Sequence, residues 1–555
     1  MAEGLTGRLE PALGALRTAL AEGSIRRLLV AWAASNAGQY ALLVINVVVA
    51  YDLGGTIGVS LFGLARYLTP TILAPFVGLP VARWPAESVL RGITAIRTLA
   101  VVGLLAVVVT GAPLWLLMIV VAIEASAGAF TRPLHMALLP AVAQTPEQLI
   151  GANVTSGAAE GLGTFVGPAL AGILLVASGP AGALGAVVAV DLISLAGIAR
   201  LHVQSVGRRD RPTDARAALA ELSAGARAVA HIPGVRLVIS GLGLQTFVRG
   251  LLTVLIVVTS IELLGLGDAG VGTLNAIIGL GGLIGSMVAI TLAGRARLGP
   301  PFAIALAGWG APIAVMGLVV NPVVAMIAMV GVGISNAVLD VAGFTLIQRM
   351  TPNAARVAVL GLIDSAANGG PALGSLIAPL LIATVGTQGA LVVSGAILPI
   401  AAILAWSRLR RLDEGGVAAA RRVELLRAQP LFAPLSLVTI EHLAGSMQPV
   451  SFEAGDWLMR EGDYGDRYLL IDTGEADVAR FGEIIGRLGP GDGAGEIALI
   501  NDMPRTATLR ALTAIQAFAL GRGDFLEAVA GHRVSNQSAH ALVDQRLAAD
   551  LRREA

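Results

Sequence analysis

The sequence predicts an all-α polytopic membrane protein, with twelve transmembrane helices in two parallel six-helix repeats, followed by a soluble β-roll (jelly-roll) domain with flanking helices. Three observations carry this. Of 555 residues, 55% are hydrophobic and only 14% charged, where a soluble chain has roughly a quarter charged. Between about 28 and 409, apolar stretches alternate with short breaks; each is roughly 20 residues long, the length a helix needs to cross a bilayer. After Leu412 the composition turns polar, and short apolar runs are punctuated by Gly and Asp.

Composition also excludes several chemistries. There is no cysteine, which removes disulfides, thiolate metal sites and cysteine nucleophiles. There is no lysine either, so all 38 basic side chains are arginines, and neither a Walker-type phosphate lysine nor a Schiff base can form. No metal site and no enzymatic activity are expected. A formal net charge of +1 gives no general pull toward nucleic acid.

Residues 1–27 carry Arg8, Arg17, Arg26 and Arg27 among Leu and Ala at helical spacing, with no small-residue cleavage site. This reads as a cytosolic surface helix rather than a signal peptide. Twelve spans follow, near 28–51, 58–80, 92–110, 114–134, 151–177, 182–201, 236–262, 270–293, 301–320, 322–348, 357–384 and 389–408. One set of connections carries Arg83 and Arg91, Arg132, Arg208, Arg209 and Arg211, Arg295 and Arg297, Arg349 and Arg356, then Arg410 and Arg411. The other set has no basic residue, only Asp52, Glu262 and Asp268. The positive-inside rule therefore puts both termini in the cytosol of a multi-pass protein of the cytoplasmic membrane.

An internal repeat organises the spans. "GPALAG" at Gly167–Gly172 in the fifth recurs as "GPALGS" at Gly370–Ser375 in the eleventh, preceded by "AFT" at Ala129–Thr131 and "GFT" at Gly343–Thr345. Residues 28–202 and 236–409 are thus two six-span halves in the same orientation, joined by a polar cytosolic linker at 203–235, as in rocking secondary transporters. Over about 380 residues this region resembles the major facilitator superfamily, and "GTFVGPALAG" at Gly163–Gly172 looks like the fifth-helix motif of that family's exporters. The family's loop signature after the second span is degraded: Arg83 is kept, but Ala82 stands where an aspartate is expected. From the residues alone, the glycines read first as close helix packing, and Pro168 and Pro371 as bending points.

Ionisable groups inside spans are costly, about 2.5–3.5 kcal/mol each at the bilayer centre. Glu124 in the fourth span and Asp340 in the tenth occupy nearly equivalent places in the two halves. Facing each other, they would suit a proton relay or a cationic substrate; alternatively Glu124 pairs with Arg132. Asp191, Arg249, Glu160 and Asp364 also fall inside spans, and Asp191 and Arg249 join the candidate transport or coupling residues. Neutralising Glu124 or Asp340 is expected to leave stability equal or higher.

Residues 410–430 form a charged helical linker, and 431–555 the soluble domain. Its apolar runs are separated by "AGD", "EGD", "TGE" and "GPGD", the spacing of a small β-barrel or jelly roll, and helical patterns follow at 524–531 and 534–553. "GEIALINDMPRTAT" at Gly495–Thr508 places Glu496 nine residues before Arg505. A helical turn opening at Gly495 would expose N–H groups to an anion. Arg505 would supply a charge-assisted bond, and ionised Glu496 can only accept, which suits a donor hydroxyl. The structural alternative is a Glu496–Arg505 pair. With "LLRAQPLFAPLS" and "REGDYGDRYLLIDTGEADV", the cassette resembles the cyclic-nucleotide-binding domain of kinase regulatory subunits and catabolite-activator-type regulators. The resemblance implies that Glu496 holds a ribose hydroxyl, that amides around Ile497 and Ala498 meet the cyclic phosphate, and that Arg505 pairs with a phosphate oxygen. Thr506 bears on base choice, with cAMP the expected ligand and cGMP the alternative. Ala494 departs from the aromatic usual there, and the "ARFGEI" hairpin is short.

The reading that combines these parts is a secondary active transporter, an exporter of an unidentified small molecule, regulated by cyclic nucleotide at its cytosolic C-terminal domain. The alternative is a transport-inactive membrane receptor responding to the nucleotide. The expected partners are the lipid bilayer, the nucleotide and the substrate, with homo-oligomerisation left open.

Overall fold

The computed structural model describes residues 22–76, 78–143, 145–199, 201, 215–292, 295, 297–351, 353–530 and 541. The helix expected at 1–27 lies outside this range up to residue 21, as do residue 202, residues 203–214 of the linker and, apart from 541, the helix expected at 534–553. The chain divides into two compact units, Met1–Arg410 and Arg411–Ala555.

Among its described residues the first unit contains helices and no strand. Its helices are α1 Gly23–Leu73, α2 Gly78–Arg83, α3 Ala86–Thr110, α4 Leu114–Val142, α5 Pro146–Ala199, α6 Ala215–His231, α7 Pro233–Val258, α8 Gly267–Ile290, α9 Gly299–Leu318, α10 Pro322–Met350 and α11 Asn353–Ala428, the last running into the second unit. Among the described residues, nine helices are long and apolar enough to cross a membrane. Three of them break once at glycine: α1 at Gly54–Gly55, α5 at Gly179 and α11 at Gly386. Gly55, Gly179 and Gly386 have φ of +56°, +65° and +72°, where a Cβ is strained, so each break divides its helix in two and the nine helices supply twelve helical segments. Sequence-encoded ends are visible as well. Pro233 and Pro322 open α7 and α10, where a missing N–H costs nothing. The Asn321 side chain caps α10 by accepting from Val323 N at 2.9 Å. The second span ends earlier than expected. The helix stops at Leu73, and a 3₁₀ turn at Ala74–Phe76 precedes α2, because Pro75 cannot donate to the helical ladder.

The repeated motif packs backbone on backbone. A Cβ on Gly167 would lie 2.6 Å from Ala37 O, and one on Gly272 of α8 would lie 2.6 Å from Gly172 Cα. In the second repeat, Gly374 faces Phe247 O, and Gly250 of α7 faces Pro371 O, both too close for any side chain. Ser60 of α1 donates to Ser375 O at 2.6 Å. Small residues thus let the fifth segment meet the first and eighth, and the eleventh meet the seventh and second.

In the second unit the end of α11 is followed by α12 Leu437–Ser446, strands β1 Gln448–Phe452, β2 Trp457–Met459, β3 Arg467–Thr473, β4 Ala476–Arg480, β5 Glu483–Leu488 and β6 Gly493–Ala494, α13 Glu496–Ile500, β7 Thr508–Ala511, β8 Ile515–Gly521 and α14 Arg522–Ala530. Two antiparallel four-stranded sheets form, ordered β1-β8-β3-β6 and β2-β7-β4-β5. The expected turn tripeptides lie between strands, and the short β4–β5 hairpin turns at Phe481 and Gly482 with φ of +52° and +89°, both positive as a two-residue hairpin requires. The core against the helices centres on Phe432, Tyr468 and Phe525 with Leu426, Leu470 and Leu520, all fully buried. Edge-on contacts of Phe432 with Tyr468 and Phe525, at 5.7 and 5.9 Å between ring centres, hold this corner. The end of α11 joins the same core through Leu425 and Leu426. Arg421 bonds Asp472 at 2.9 Å and Arg422 donates to Met447 O at 2.9 Å.

Candidate functional site

The cassette folds as the end of β6, a left-handed glycine and the single turn of α13. Gly495 has φ +104°, and a Cβ there would collide with Arg505 Nη1 and lie 3.0 Å from Arg467 O. Glycine is required on both counts. The chain then returns through Pro504, which bridges to Tyr464. Arg505 N donates to Asp463 O at 2.8 Å, and Gly462 N to Arg505 O at 2.9 Å. The "EGDYGD" stretch is therefore the strap that positions Arg505, and Gly465 leaves room for its guanidinium, since a Cβ would sit 2.9 Å from Arg505 Cζ.

That guanidinium is 6% exposed. Nη1 donates to Gly495 O at 3.0 Å and Nη2 to Arg467 O at 2.7 Å, both neutral carbonyls, and among the described residues it forms no ion pair. Burial pushes it below its ordinary value, opposed by the nearby carboxylates of Asp466 and Glu496. Glu496 is buried on the first turn of α13, 1% exposed. Gly495, Glu496, Ile497, Ala498, Arg505 and Thr506 all line one cavity of about 260 Å³, shared with apolar Met459, Val478, Leu488 and Leu509 and with Ala494. A buried cation with no direct ion pair among the described residues, an acceptor-only carboxylate, a hydroxyl and an apolar wall suit a ligand with an anion, a donor hydroxyl and a flat apolar part.

The intramembrane charges are arranged differently from the expected facing pair. Glu124 is buried in α4, where Arg66 Nη1 of α1 lies 3.2 Å from Oε2 and Arg97 Nε of α3 lies 3.4 Å from Oε1. Arg97 also pairs with Asp191 of α5 at 3.2 Å and donates to the Ser35 hydroxyl and, at 3.1 Å, to Ser35 O. Gly38 clears the space, since its Cβ would be 3.3 Å from Asp191 Oδ1. Arg132 does not hold Glu124; its partner is Glu160, at 3.6 Å. Asp340 belongs to a second cluster in α7, α9 and α10, accepting from Asn336 Nδ2 at 3.0 Å. The Asn336 carbonyl in turn accepts from Arg249, from Gln245 at 3.4 Å and from Trp309 at 3.2 Å. Each carboxylate thus has its own partners in its own half. The side chain of Asp364 lies outside those described. Removing one member of a buried pair leaves an uncompensated charge, at about 3–5 kcal/mol, so the expectation that Glu124→Gln is neutral or stabilising is reversed.

The profile of the Major Facilitator Superfamily matches residues 28–337 and, in a second match, 238–450, the first alone more than half of the chain. The chain belongs to the Major Facilitator Superfamily. A cyclic nucleotide-binding domain profile matches residues 449–532. Over 103 residues the chain is 39% identical to a cAMP-dependent protein kinase regulatory subunit of Eremothecium gossypii, covering 18% of this chain and 22% of that protein. Over 86 residues it is 36% identical to the cGMP-dependent protein kinase egl-4 of Caenorhabditis elegans, covering 16% and 11%. The chain therefore spans about a fifth or less of these two relatives. A structure of the regulatory domain of Toxoplasma gondii PKA with cAMP is 32% identical, with a TM-score of 0.19, over 19% of this chain and 42% of that one.

In this Major Facilitator Superfamily member the sequence reading passed over four side chains that organise the membrane unit: Ser35, Arg66, Arg97 and Asn336. Arg66 and Arg97 were detectable, because both fall inside predicted spans, where any arginine needs an acid partner. Asn336 stands one helical turn before Asp340, a spacing that lets an amide reach a carboxylate.

Proposed function

We propose that the protein is a secondary active transporter of the cytoplasmic membrane, both termini cytosolic, that exports a small molecule under control of a cyclic nucleotide bound at its C-terminal unit. It is a carrier rather than an enzyme. The observation that carries the regulatory part is Arg505, buried and, among the described residues, without an ion pair, in a cavity it shares with Glu496. An exocyclic phosphate oxygen supplies the missing anion and the ribose hydroxyl the donor for Glu496. The cAMP-dependent kinase relative at 39% identity supports cAMP as the ligand, with cGMP the alternative. Nucleotide binding reaches the transporter through α11, which runs from the eleventh and twelfth segments to the core of the second unit. Regulation then requires the nucleotide to favour one transport state, by a coupling of about 1–3 kcal/mol.

Calorimetric titration of the full-length protein with cAMP, cGMP and a cyclic dinucleotide tests the reading. Saturable binding of cAMP, tighter than cGMP and without cyclic dinucleotide binding, is expected. No binding of any cyclic mononucleotide would overturn it.

A further inference from the structure

Among the described side chains well inside the spans, ion pairing leaves two charges over. Arg66, Arg97, Glu124 and Asp191 neutralise one another, and Arg132 pairs with Glu160. Among the described residues neither Arg249 of α7 nor Asp340 of α10 forms an ion pair, and a single amide stands between them. Three donors, Arg249, Gln245 and Trp309, converge on Asn336 Oδ1, which turns Nδ2 toward Asp340. Arg249 is exposed although it lies in mid-helix between buried Val248 and Gly250, the latter packed on Pro371. Its charge acts on Tyr40 in the first segment of the opposite half, as do those of Arg66, Arg132 and Glu160. Arg249 therefore lies within electrostatic reach of the opposite half, and a bundle interior or water-filled cavity is the setting in which an arginine is retained at membrane depth.

We propose that Arg249 is the anion-binding residue of the transport cavity and that Asp340, held one amide away by Asn336, carries the proton that accompanies the anion. This rests on the transport reading above and adds the substrate class, a small organic anion. With Asp340 ionised, Arg249 and Asp340 sum to zero charge and the carboxylate opposes an incoming anion. When Asp340 takes a proton from water the sum becomes +1, and Arg249 is free to pair with the anion. Coupling is reciprocal, so the anion also holds the proton. The loaded site carries both together, an electroneutral cargo. The charged groups acting on Asp340 are Arg249 from α7 and Arg132 from α4. Of the other helices packed on α10, α8 brings only Asp268, in its first turn, and α9 brings no titratable residue.

The test is calorimetric titration of the full-length protein in nanodiscs with acetate, lactate, succinate and inorganic phosphate at pH 5, 6, 7 and 8. At least one anion should bind at pH 5 and weaken, once Asp340 ionises, by up to about tenfold per pH unit, the limit for one linked proton. Arg249→Gln should abolish that binding and Arg249→Lys recover part of it, while Asp340→Asn should bind at all four pH values with the acid-limit affinity. The proposal is overturned if no anion binds at pH 5, if Arg249→Gln binds normally, if Asp340→Asn keeps the pH dependence, or if affinity rises with pH, as a cationic group docking on Asp340 would require. Failure of the transport reading looks different: the pH-linked binding is present, but the same anion shows no counterflow in proteoliposomes.

Discussion

Replacing Arg505 by alanine removes three things at once. The cavity loses its buried cation, Gly495 O and Arg467 O lose their donors at 3.0 and 2.7 Å, and space opens beside Gly465 and Gly495. The ligand term is a charge-assisted hydrogen bond worth about 1.5–3 kcal/mol, which weakens nucleotide binding by roughly 10- to 150-fold. The two orphaned carbonyls can take water once the side chain is gone, so the second unit should unfold only slightly earlier, and the membrane unit should be unchanged. Calorimetry of full-length wild type and Arg505→Ala with cAMP reads the first effect, and differential scanning calorimetry the second. No lysine exists elsewhere in the chain to stand in. Equal cAMP affinity in the two proteins, with Arg505→Ala folded, would refute the assignment of Arg505 to the phosphate.

Three further outcomes are expected. Glu124→Gln should destabilise the membrane unit by about 3–5 kcal/mol, because Arg66 and Arg97 stay buried with half their compensation; an unchanged melting temperature in detergent would show that the cluster is not held by charge. Gly495→Ala should weaken cAMP binding at least tenfold, since the methyl group meets Arg505 Nη1 and the backbone sits at φ +104°; full affinity would mean the cassette tolerates another geometry. Gly272→Ala should lower the melting temperature of the membrane unit, as its Cβ meets Gly172 Cα at 2.6 Å and overpacking costs about 1–3 kcal/mol, whereas Gly92→Ala, with nothing within 4 Å of its Cβ, should not.

Helix and strand classes were legible because they rest on period and composition. Apolar runs of bilayer length can only be satisfied as helices, and the Gly–Asp turns of the second unit leave room for little but short strands. The cassette was legible for a related reason: Gly495, Glu496 and Arg505 lie within eleven residues, so local chain geometry brings them to one cavity. The membrane charges were not. Arg66, Arg97, Glu124 and Asp191 come from α1, α3, α4 and α5, and sequence distance carries no information about which acid meets which arginine. Equivalent placement of Glu124 and Asp340 in the two repeats suggested that they face each other. The repeat operates instead by giving each half its own polar cluster. The second span ends before its apolar run does, because Pro75 interrupts the helical ladder.

The central claim, that nucleotide at Arg505 shifts the conformation of the transporter, has a direct test that needs no knowledge of the substrate. Asp52 and Asp268 lie in different halves, in the connections that charge assigns to the outside, and are close enough for one charge to act on the other. The chain has no cysteine, so Asp52→Cys/Asp268→Cys can be spin-labelled specifically in full-length protein in nanodiscs. Pulsed electron resonance then reads the distance between the halves at that end with and without saturating cAMP. Saturating cAMP should redistribute the distances, and Arg505→Ala at the same cAMP concentration should not respond. Calorimetrically tight cAMP binding to the labelled protein with an unchanged distance distribution would contradict it, leaving the second unit an independent nucleotide-binding module.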